Sequence, residues 1–258
     1  MINKRNNNNI AVGILAGGLG SRLGEITASI PKPLVKINKL PILVHIMKIY
    51  LNYNFSNFFI ALGYKGEEII KYFIKNNKIN ANIKSKIKSG FTITHYIDKK
   101  KCTITFVDTG LKTMTGGRVK RLAKVIPGDN FMLTYGDGLA NVNIKKLLDF
   151  HYRNKKIVTV TAVNPPARFG EIKLKGPQVK NFSEKKRITS SWINGGFFVI
   201  NKKFSKYIRN DKEILERYPL EKVANINQLV AFKHRLFWQC MDTKRDKDIL
   251  EKMLKEKR

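Results

Sequence analysis

Short apolar runs alternate along the chain with segments in which apolar residues recur at helical spacing. Ile10–Ala16 is a continuous apolar run that ends in glycines, which is typical of a strand buried on both faces of a parallel sheet. After Pro41, apolar residues recur at helical spacing over 42–50, which predicts a helix beginning at this proline. The same patterns predict strands at Phe58–Leu62, Ile104–Val107, Phe131–Tyr135 and Ile157–Val163, and helices at Glu67–Phe73 and Ile144–His151. This order predicts an α/β fold, with a mostly parallel sheet covered by helices on both faces.

The pattern changes in the second half of the chain, where short β-like segments lie close together between turn residues. These segments predict antiparallel strands that border the main sheet and form a small substrate lobe at about 165–200. They are Gly170–Leu174, Gln178–Ser183 and Gly195–Ile200, followed by predicted helices at Lys212–Tyr218 and Leu220–Ala224, a strand at Leu229–Phe232 and a helix from Arg245.

No repeat or low-complexity linker interrupts the sequence after the asparagine run Asn6–Asn9. We therefore expect residues 1–9 to form a disordered extension and residues 10–258 to form a single domain that contains the substrate lobe. The stretch 75–101 fits neither periodicity well, and we expect it to be a loop-rich insertion.

The chain of 258 residues carries 50 Lys and Arg against 19 Asp and Glu, which gives a net charge of +31. Such an excess is typical of proteins that bind nucleic acid or anionic membranes. A coding bias toward lysine, asparagine and isoleucine explains the same composition without a partner, because the lysines are scattered and do not cluster with stacking aromatic residues. The charge does not decide the function, and we expect neither a nucleic-acid nor a membrane partner.

Neither a membrane span nor a signal peptide is predicted. The apolar runs, such as Ile10–Ala16 and Phe58–Leu62, are much shorter than the roughly 20 residues that cross a bilayer. The basic N-terminus has no apolar segment and no small-residue cleavage site. Cys102 and Cys240 lie in apolar runs, and buried reduced thiols account for them more simply than a disulfide or a metal pair. These features predict a cytoplasmic protein.

A glycine-rich loop, Leu15–Arg22, follows the first predicted strand. Glycines at the carboxyl end of a parallel strand let backbone N–H groups approach an anion, and open α/β sheets bind their ligands at this edge. The loop lacks the third glycine of a dinucleotide fingerprint, where Leu23 stands, and the Gly-Lys-Ser/Thr triplet of a P-loop. Arg22 and Lys32 supply cations suited to a triphosphate. A plain glycine turn with solvated cations is the alternative.

Two carboxylates follow apolar segments further along the chain. Asp137 lies between two glycines at the end of a predicted strand, so it faces the same sheet edge as the glycine-rich loop. Asp242 follows the apolar segment Phe237–Met241. Two carboxylates beside phosphates are typical of a Mg²⁺ site, whereas an aspartate between glycines also occurs as a simple turn former.

These motifs, and others in the same order, resemble those of the sugar-1-phosphate nucleotidylyltransferases. The glycine-rich loop marks the superfamily, and three later motifs are most similar to its cytidylyl branch: Thr115–Arg118, Arg168–Gly170 and Phe237–Thr243. The full set of matching stretches comprises Ile14–Arg22, Pro31–Pro33, Pro41–Tyr50, Gly63–Gly66, Val107–Gly110, Thr115–Arg121, Thr134–Gly138, Arg168–Gly170, Ile193–Phe198 and Phe237–Asp246.

The resemblance implies a Rossmann-like fold of the nucleotide-diphospho-sugar transferase type. It also implies the transfer of a cytidylyl group from CTP to α-D-glucose 1-phosphate, giving CDP-glucose and pyrophosphate by in-line attack without a covalent intermediate. Mg²⁺ is the implied cofactor and a homo-oligomer the implied assembly. The sequence leaves open the same chemistry with UTP, dTTP or GTP or with another sugar, and, in a different class, a basic nucleic-acid-binding protein.

The resemblance also assigns roles to individual residues. Arg22 would stabilise the departing pyrophosphate, Lys32 would neutralise charge beside the α-phosphorus, and Asp137 and Asp242 would hold Mg²⁺. The implied catalytic residues are Arg22, Lys32 and Asp137. The implied nucleotide-binding residues are Leu15, Ala16, Gly17, Gly18, Leu19, Gly20, Ser21, Arg22, Lys32, Thr113, Arg118 and Gly136, with the turn Gly116–Arg118 helping to read cytosine. The implied sugar-binding residues are Gly170, Glu184, Lys185, Asn194 and Gly195.

Overall fold

The computed structural model describes residues 10–20, 23–74, 90–165, 170–184 and 191–255. Its strands are β1 (Val12–Leu15), β2 (Lys36–Ile37), β3 (Leu40–Pro41), β4 (Asn57–Leu62), β5 (Phe91–Ile97), β6 (Lys100–Asp108), β7 (Asn130–Tyr135), β8 (Gly138–Ala140), β9 (Val158–Val163), β10 (Glu171–Lys175), β11 (Gln178–Ser183), β12 (Ile193–Asn201), β13 (Leu229–His234) and β14 (Trp238–Cys240). Its helices are α1 (Glu25–Ser29), α2 (Ile42–Leu51), α3 (Gly66–Ile74), α4 (Thr115–Val125), α5 (Ile144–Asn154), α6 (Tyr218–Asn225) and α7 (Lys244–Lys255), with 3-10 turns at Lys32–Leu34 and Lys202–Tyr207.

Eight strands of the described part form one sheet in the order β13-β9-β12-β7-β1-β4-β6-β5. The strands β7, β1, β4 and β6 at its centre run parallel to one another. β12 lies antiparallel between β7 and β9, and β5 pairs antiparallel with β6 at one edge. The predicted α/β fold with a mostly parallel sheet is confirmed.

The strands carry continuous apolar runs because both faces of the sheet are covered. Along β1, Val12 and Ile14 point into one cluster of buried side chains, with α2 and α3. Leu15 points into a second cluster on the opposite face, with α4 and α6. This alternation across a strand packed on both sides produces the uninterrupted apolar pattern seen in the sequence.

One predicted helix is wrong. Lys212–Tyr218 forms turns, and the helix in this region is α6, Tyr218–Asn225. Pro219 explains the difference: it has no N–H to donate to residue 215, and its ring is tolerated only in the first turn of a helix. The proline therefore begins a helix here and prevents one from running through from residue 212.

Two further expectations need correction. Gly195–Ile200 does not border the sheet, because β12 is an interior strand whose Phe197 and Phe198 are buried in opposite clusters. The described part of the 75–101 stretch is a hairpin, β5 and β6, joined by Asp98 and Lys99 with positive φ angles of 49° and 63°. Residues 1–9 and 75–89 lie outside the described residues.

The antiparallel strands β10 and β11 pair with each other in a separate two-stranded sheet. Its apolar side chains are exposed: Ile172 by 51%, Leu174 by 65%, Val179 by 56% and Phe182 by 62%. This hairpin belongs to the predicted substrate lobe and lies outside the main sheet.

Candidate active site

The carboxyl edge of the sheet gathers the loops that the sequence singles out. β1, β4 and β7 are parallel, so the segments after Leu15, Leu62 and Tyr135 all emerge at this edge. Because β12 runs in the opposite direction, its first residues, including Asn194, lie at the same edge. The fold therefore places the glycine-rich loop, Asp137 and the start of β12 along one crevice.

Lys32 contacts both acidic residues that the sequence proposes as metal ligands. Its Nζ lies 2.6 Å from Asp137 Oδ2 and 2.8 Å from Asp242 Oδ1. The Lys32 side chain is only 12% exposed, whereas those of Asp137 and Asp242 are 29% and 18% exposed. The three residues come from distant parts of the chain, and their ionic groups meet at one point of the crevice.

A small second sheet brings the two carboxylates together. β14 pairs antiparallel with β8, and Cys240 lies opposite Gly138. One residue further along, the backbone N–H of Met241 donates to the carbonyl of Asp137 at 2.8 Å. The register of this pair of strands therefore fixes Asp242 beside Asp137.

Asp246, to which the sequence interpretation assigned no role, supports Asp242. Its Oδ2 accepts hydrogen bonds from the backbone N–H groups of Asp242 (3.1 Å) and Thr243 (2.9 Å), and from the Thr243 hydroxyl (2.8 Å). Its Oδ1 accepts from Gln239 Nε2 at 3.2 Å. Thr243 and Asp246 have the three-residue spacing of a capping box at the start of α7, which is the signal that could have revealed this support.

The electrostatics of the site keep Lys32 charged and the nearby thiol neutral. Burial alone lowers the pKa of Lys32, but attraction and hydrogen bonds to Asp137 and Asp242 outweigh it, and the pKa is raised above its usual value. Burial, with Asp242 and Asp137 adding to it, raises the pKa of Cys240 to about 12. Burial raises that of Cys102 to about 11, and both cysteines are unpaired. Cys240 is therefore a thiol at neutral pH and a poor nucleophile.

The two carboxylates fit a magnesium ion by their chemistry. Mg²⁺ prefers oxygen ligands, and proteins bind it through one or two carboxylates together with phosphate oxygens and water. The described residues contain no group of three or more His, Cys, Asp or Glu side chains that could hold a metal unaided. Asp137 and Asp242 thus suit a cation that arrives with a phosphate ligand.

Arg118 lies beneath the glycine-rich loop with its guanidinium engaged by the protein. The residue is 4% exposed. Its Nη2 donates to the carbonyl of Gly17 at 3.0 Å, and its Nη1 donates to the carbonyl of Leu62 at 2.9 Å and to Thr109 Oγ1 at 2.6 Å. A Cβ at Gly17 or Gly63 would lie 2.3 Å or 2.5 Å from Arg118 Nη1. Arg118 therefore ties the ends of β1 and β4 together.

The expected turn at Gly116–Arg118 is instead the first part of helix α4. A Cβ at Gly116 would meet the carbonyl oxygen of Glu213 at 2.7 Å, and one at Gly117 would meet Asp211 Cα at 2.7 Å. The backbone N–H of Gly116 donates to Glu213 O at 2.9 Å. Both positions require glycine because the segment that contains Asp211 and Glu213 packs directly on the helix backbone. This requirement comes from residues distant along the chain, so the local sequence does not show it.

The remaining predicted nucleotide contacts lie around the same loop. Leu15 and Ala16 are buried, and Leu19 is 61% exposed. Apart from the residues adjacent to Gly18, no described atom lies within 4 Å of a Cβ built at this glycine. A Cβ at Gly136 would lie 2.6 Å from the carbonyl oxygen of Leu15. Gly20 has a positive φ of 67°, Thr113 is buried, and Ser21 and Arg22 lie outside the described residues.

A cleft of about 730 Å³ opens beside this loop, at the ends of β4 and β6. Tyr64, Lys65, Asp108 and Gly110 are among its lining residues. The backbone N–H of Tyr64 donates to the carbonyl of Gly17 at 3.1 Å, so one wall of the cleft is bonded to the glycine-rich loop. The sequence interpretation noted these stretches only as matching motifs, without assigning them to a pocket.

The predicted sugar-binding residues fall into two groups. Asn194 and Gly195 lie at the start of β12, where Trp238 Nε1 donates to the carbonyl of Gly195 at 2.7 Å. Gly170 and Glu184 lie together at the open end of the β10–β11 hairpin, since a Cβ at Gly170 would be 2.8 Å from Glu184 Oε2. Lys185 lies outside the described residues.

Among the described helices, none combines the length and the apolar character needed to cross a membrane.

Comparisons with known proteins agree with the geometry. The model of the nucleotidyl transferase family matches residues 11–245. A glucose-1-phosphate cytidylyltransferase from Salmonella typhimurium is 44% identical over 239 residues, covering 92% of this chain and 93% of the relative. A probable glucose-1-phosphate cytidylyltransferase from Bacillus subtilis is 39% identical over 237 residues, covering 89% and 90%. The resemblance drawn from the motifs is confirmed.

Solved structures share the fold. The crystal structure of HddC from Yersinia pseudotuberculosis has a TM-score of 0.70 at 23% identity, covering 95% of this chain and 99% of that one. A UDP-glucose pyrophosphorylase complexed with UDP-glucose has a TM-score of 0.70 at 15% identity, covering 96% and 99%.

Proposed function

Because the chain belongs to the nucleotidyl transferase family, we propose that it transfers the cytidylyl group of CTP to α-D-glucose 1-phosphate, giving CDP-glucose and pyrophosphate. Relatives at 44% and 39% identity, aligned over about nine-tenths of the chain, carry the name of this activity. The observation that carries the proposal is the meeting of Lys32, Asp137 and Asp242 at the carboxyl edge of the sheet.

In the proposed reaction, an anionic phosphate oxygen of glucose 1-phosphate attacks the α-phosphorus of CTP. A new phosphorus–oxygen bond forms as the bond to the β-phosphate oxygen breaks, and pyrophosphate leaves with the electron pair. The attacking oxygen already carries charge, so no general base is needed. The task of the protein is to bring two polyanions together and to stabilise the charge that develops on the leaving group.

Lys32 is suited to that electrostatic work because it is charged, nearly buried and fixed by two partners. Asp137 and Asp242 would hold Mg²⁺, which when bound supplies positive charge to the phosphates. The protonated thiol of Cys240 gives no support to a covalent route. We assign Arg22 to the pyrophosphate on the basis of the motif alone.

The glycine-rich loop and the adjoining cleft are proposed to hold CTP. The open position at Gly18 and the cleft of about 730 Å³ beside Gly63 support this placement. Arg118 shapes this site by fixing the loop backbone. On the other side of Asp137, Asn194 and Gly195 are proposed to bind the glucose ring, with Gly170, Glu184 and Lys185 contributing from the hairpin.

We also propose a homo-oligomer in the cytoplasm. The exposed apolar side chains of the β10–β11 hairpin support an assembly, because an isolated two-stranded hairpin is only marginally stable in water. The two unpaired cysteines are consistent with a reducing compartment.

The proposed substrates are tested by measuring pyrophosphate release across a matrix of CTP, UTP, dTTP and GTP with several sugar 1-phosphates, in the presence of Mg²⁺. We expect the highest kcat/KM for CTP with glucose 1-phosphate and no release when either substrate or the divalent cation is omitted. A clear preference for another nucleotide or sugar would correct the substrate while keeping the reaction. Absence of release for every pair would refute the proposed activity.

A further inference from the structure

A chain of hydrogen bonds connects helix α4 to the start of β12. Thr115 Oγ1 donates to Glu216 Oε2 at 3.0 Å. The other oxygen of Glu216, Oε1, accepts the hydroxyl proton of Tyr135, and Asn194 Nδ2 donates to that hydroxyl oxygen at 3.1 Å. A phenol has a single proton to donate, so its bond to Glu216 leaves the lone pairs of the oxygen available to Asn194.

Glu216 is placed from the backbone. It belongs to the segment 209–217, which packs on the beginning of α4. Met114 N donates to Asp211 O at 2.8 Å, and Leu215 N donates to Thr115 Oγ1 at 2.8 Å. These contacts fix the segment against the helix and direct the Glu216 carboxylate toward β7.

Tyr135 links Glu216 to the crevice. It is the last residue of β7, two positions before Asp137, and its ring packs under β12: a Cβ at Gly196 would lie 2.6 Å from Tyr135 Cδ2. Its hydroxyl lies between the Glu216 carboxylate and the Asn194 amide and is bonded to both.

Asn194 is thereby held at both ends of its amide. Its Oδ1 accepts the backbone N–H of Gly196 at 2.8 Å, and its Nδ2 is bonded to Tyr135. An amide nitrogen carries two protons, so one donor of Nδ2 remains for a ligand, and the residue is exposed to the crevice. The direction of that donor is set by the Tyr135 hydroxyl.

We propose that Tyr135 and Glu216 are positioning residues for the sugar 1-phosphate, which orient Asn194 toward a hydroxyl of the sugar ring. This inference rests on the proposed function and extends it, since neither residue belongs to the motif-derived set of sugar contacts. The hydrogen bonds run in series from Thr115 to Asn194. Loss of the Tyr135 hydroxyl therefore removes the partner of the amide nitrogen, and loss of Glu216 removes the acceptor that orients that hydroxyl.

The test compares Y135F, E216A, E216Q and the double variant Y135F/E216A by initial rates with both substrates varied. D211N is the matched control. Asp211 belongs to the same segment as Glu216, but its side chain pairs with Arg121 of α4 and not with Tyr135. We expect Y135F and E216A each to raise the KM for glucose 1-phosphate about five- to tenfold, as expected for one oriented hydrogen bond. The KM for CTP should stay within about twofold of the wild-type value, and E216Q, which keeps an acceptor for the phenol, should restore most of the loss.

The double variant should be no worse than the worse single variant, since the two residues act through one amide. Unchanged KM values for the sugar, equal increases for both substrates, or the same defect in D211N would each overturn the proposal, provided that circular dichroism shows folded variants. A wild type that prefers another sugar 1-phosphate refutes only the substrate assignment, and the variants are then assayed with that sugar. A wild type inactive with every pair overturns both proposals.

Discussion

Arg118 shows how a single buried side chain shapes a ligand-binding loop. Its guanidinium binds the carbonyl oxygens of Gly17 and Leu62, at the ends of neighbouring strands. The motif around it could be recognised from the sequence, but the direction of the side chain could not. That direction depends on close approach at Gly17 and Gly63, which lie far from Arg118 along the chain.

The G17A variant tests this packing. The added Cβ would lie 2.3 Å from Arg118 Nη1 and must displace a guanidinium bonded to backbone carbonyls. We expect a loss of about 1–3 kcal/mol in the free energy of unfolding, as for other overpacked buried sites. Urea denaturation measures this loss, with G18A as the control, because a Cβ at Gly18 would meet no described atom within 4 Å outside the adjacent residues. Equal stabilities of the two variants would contradict the role given to Arg118.

At the scale of elements, local patterns predict the strands well and their partners less well. β1, β4 and β7 consist mainly of apolar residues without polar alternation, so their burial on both faces could be predicted from the sequence. The position of β12 inside the sheet, and the pairing of β8 with β14 that brings Asp242 to Asp137, depend on contacts between distant residues. The periodicity of a short segment carries no information about such contacts.

The packing of α5 on β9 is expected to make stability depend on pH. His151 of α5 is 3% exposed, and its Nδ1 lies 2.8 Å from Thr159 Oγ1. Burial lowers the pKa of His151 to about 4. The unfolded chain, with an ordinary histidine pKa near 6.5, binds the proton first as the pH falls, so this contribution to stability is present above about pH 6.5 and is lost toward pH 4.

We expect the wild type to lose about 3 kcal/mol more than H151Q in its free energy of unfolding over this pH range, since one pKa unit corresponds to about 1.4 kcal/mol. Urea denaturation of both proteins between pH 4 and pH 7 gives the difference. Parallel pH profiles for the two proteins would show that His151 does not titrate in this way.

At the scale of the whole molecule, a strongly basic surface and an exposed apolar hairpin occur together. The net charge of +31 opposes close approach of two copies, whereas the uncovered side chains of β10 and β11 favour it. From the sequence, an assembly could be predicted only from the resemblance to a family. The exposure of the apolar side chains on β10 and β11 could not be predicted, because it depends on which residues the folded chain leaves uncovered.

We expect the wild type to be oligomeric and F182D to dissociate, because Phe182 is 62% exposed on the hairpin and a charge there would have to be buried in an interface. Size-exclusion chromatography with light scattering measures the mass of each. L236D introduces the same charge at an equally exposed leucine outside the hairpin and should leave the assembly unchanged. A monomeric wild type, or an F182D variant that remains oligomeric, would exclude an interface at this hairpin.

The central claim is that Asp137 and Asp242 bind the divalent cation and that Lys32, which contacts both carboxylates, acts on the reacting phosphates at the same place. Mn²⁺ binding, followed by electron paramagnetic resonance on the wild type, K32M and D137N, tests it most directly, with K36M as the control at an exposed neighbouring lysine. Without nucleotide, we predict tighter Mn²⁺ binding to K32M than to the wild type, because the ammonium no longer occupies the carboxylates, and weaker binding to D137N. We also predict that turnover of K32M falls by about 100-fold or more, whereas K36M resembles the wild type in both measurements. Equal Mn²⁺ affinities for the wild type, K32M and D137N, or near-normal turnover of K32M, would contradict the claim.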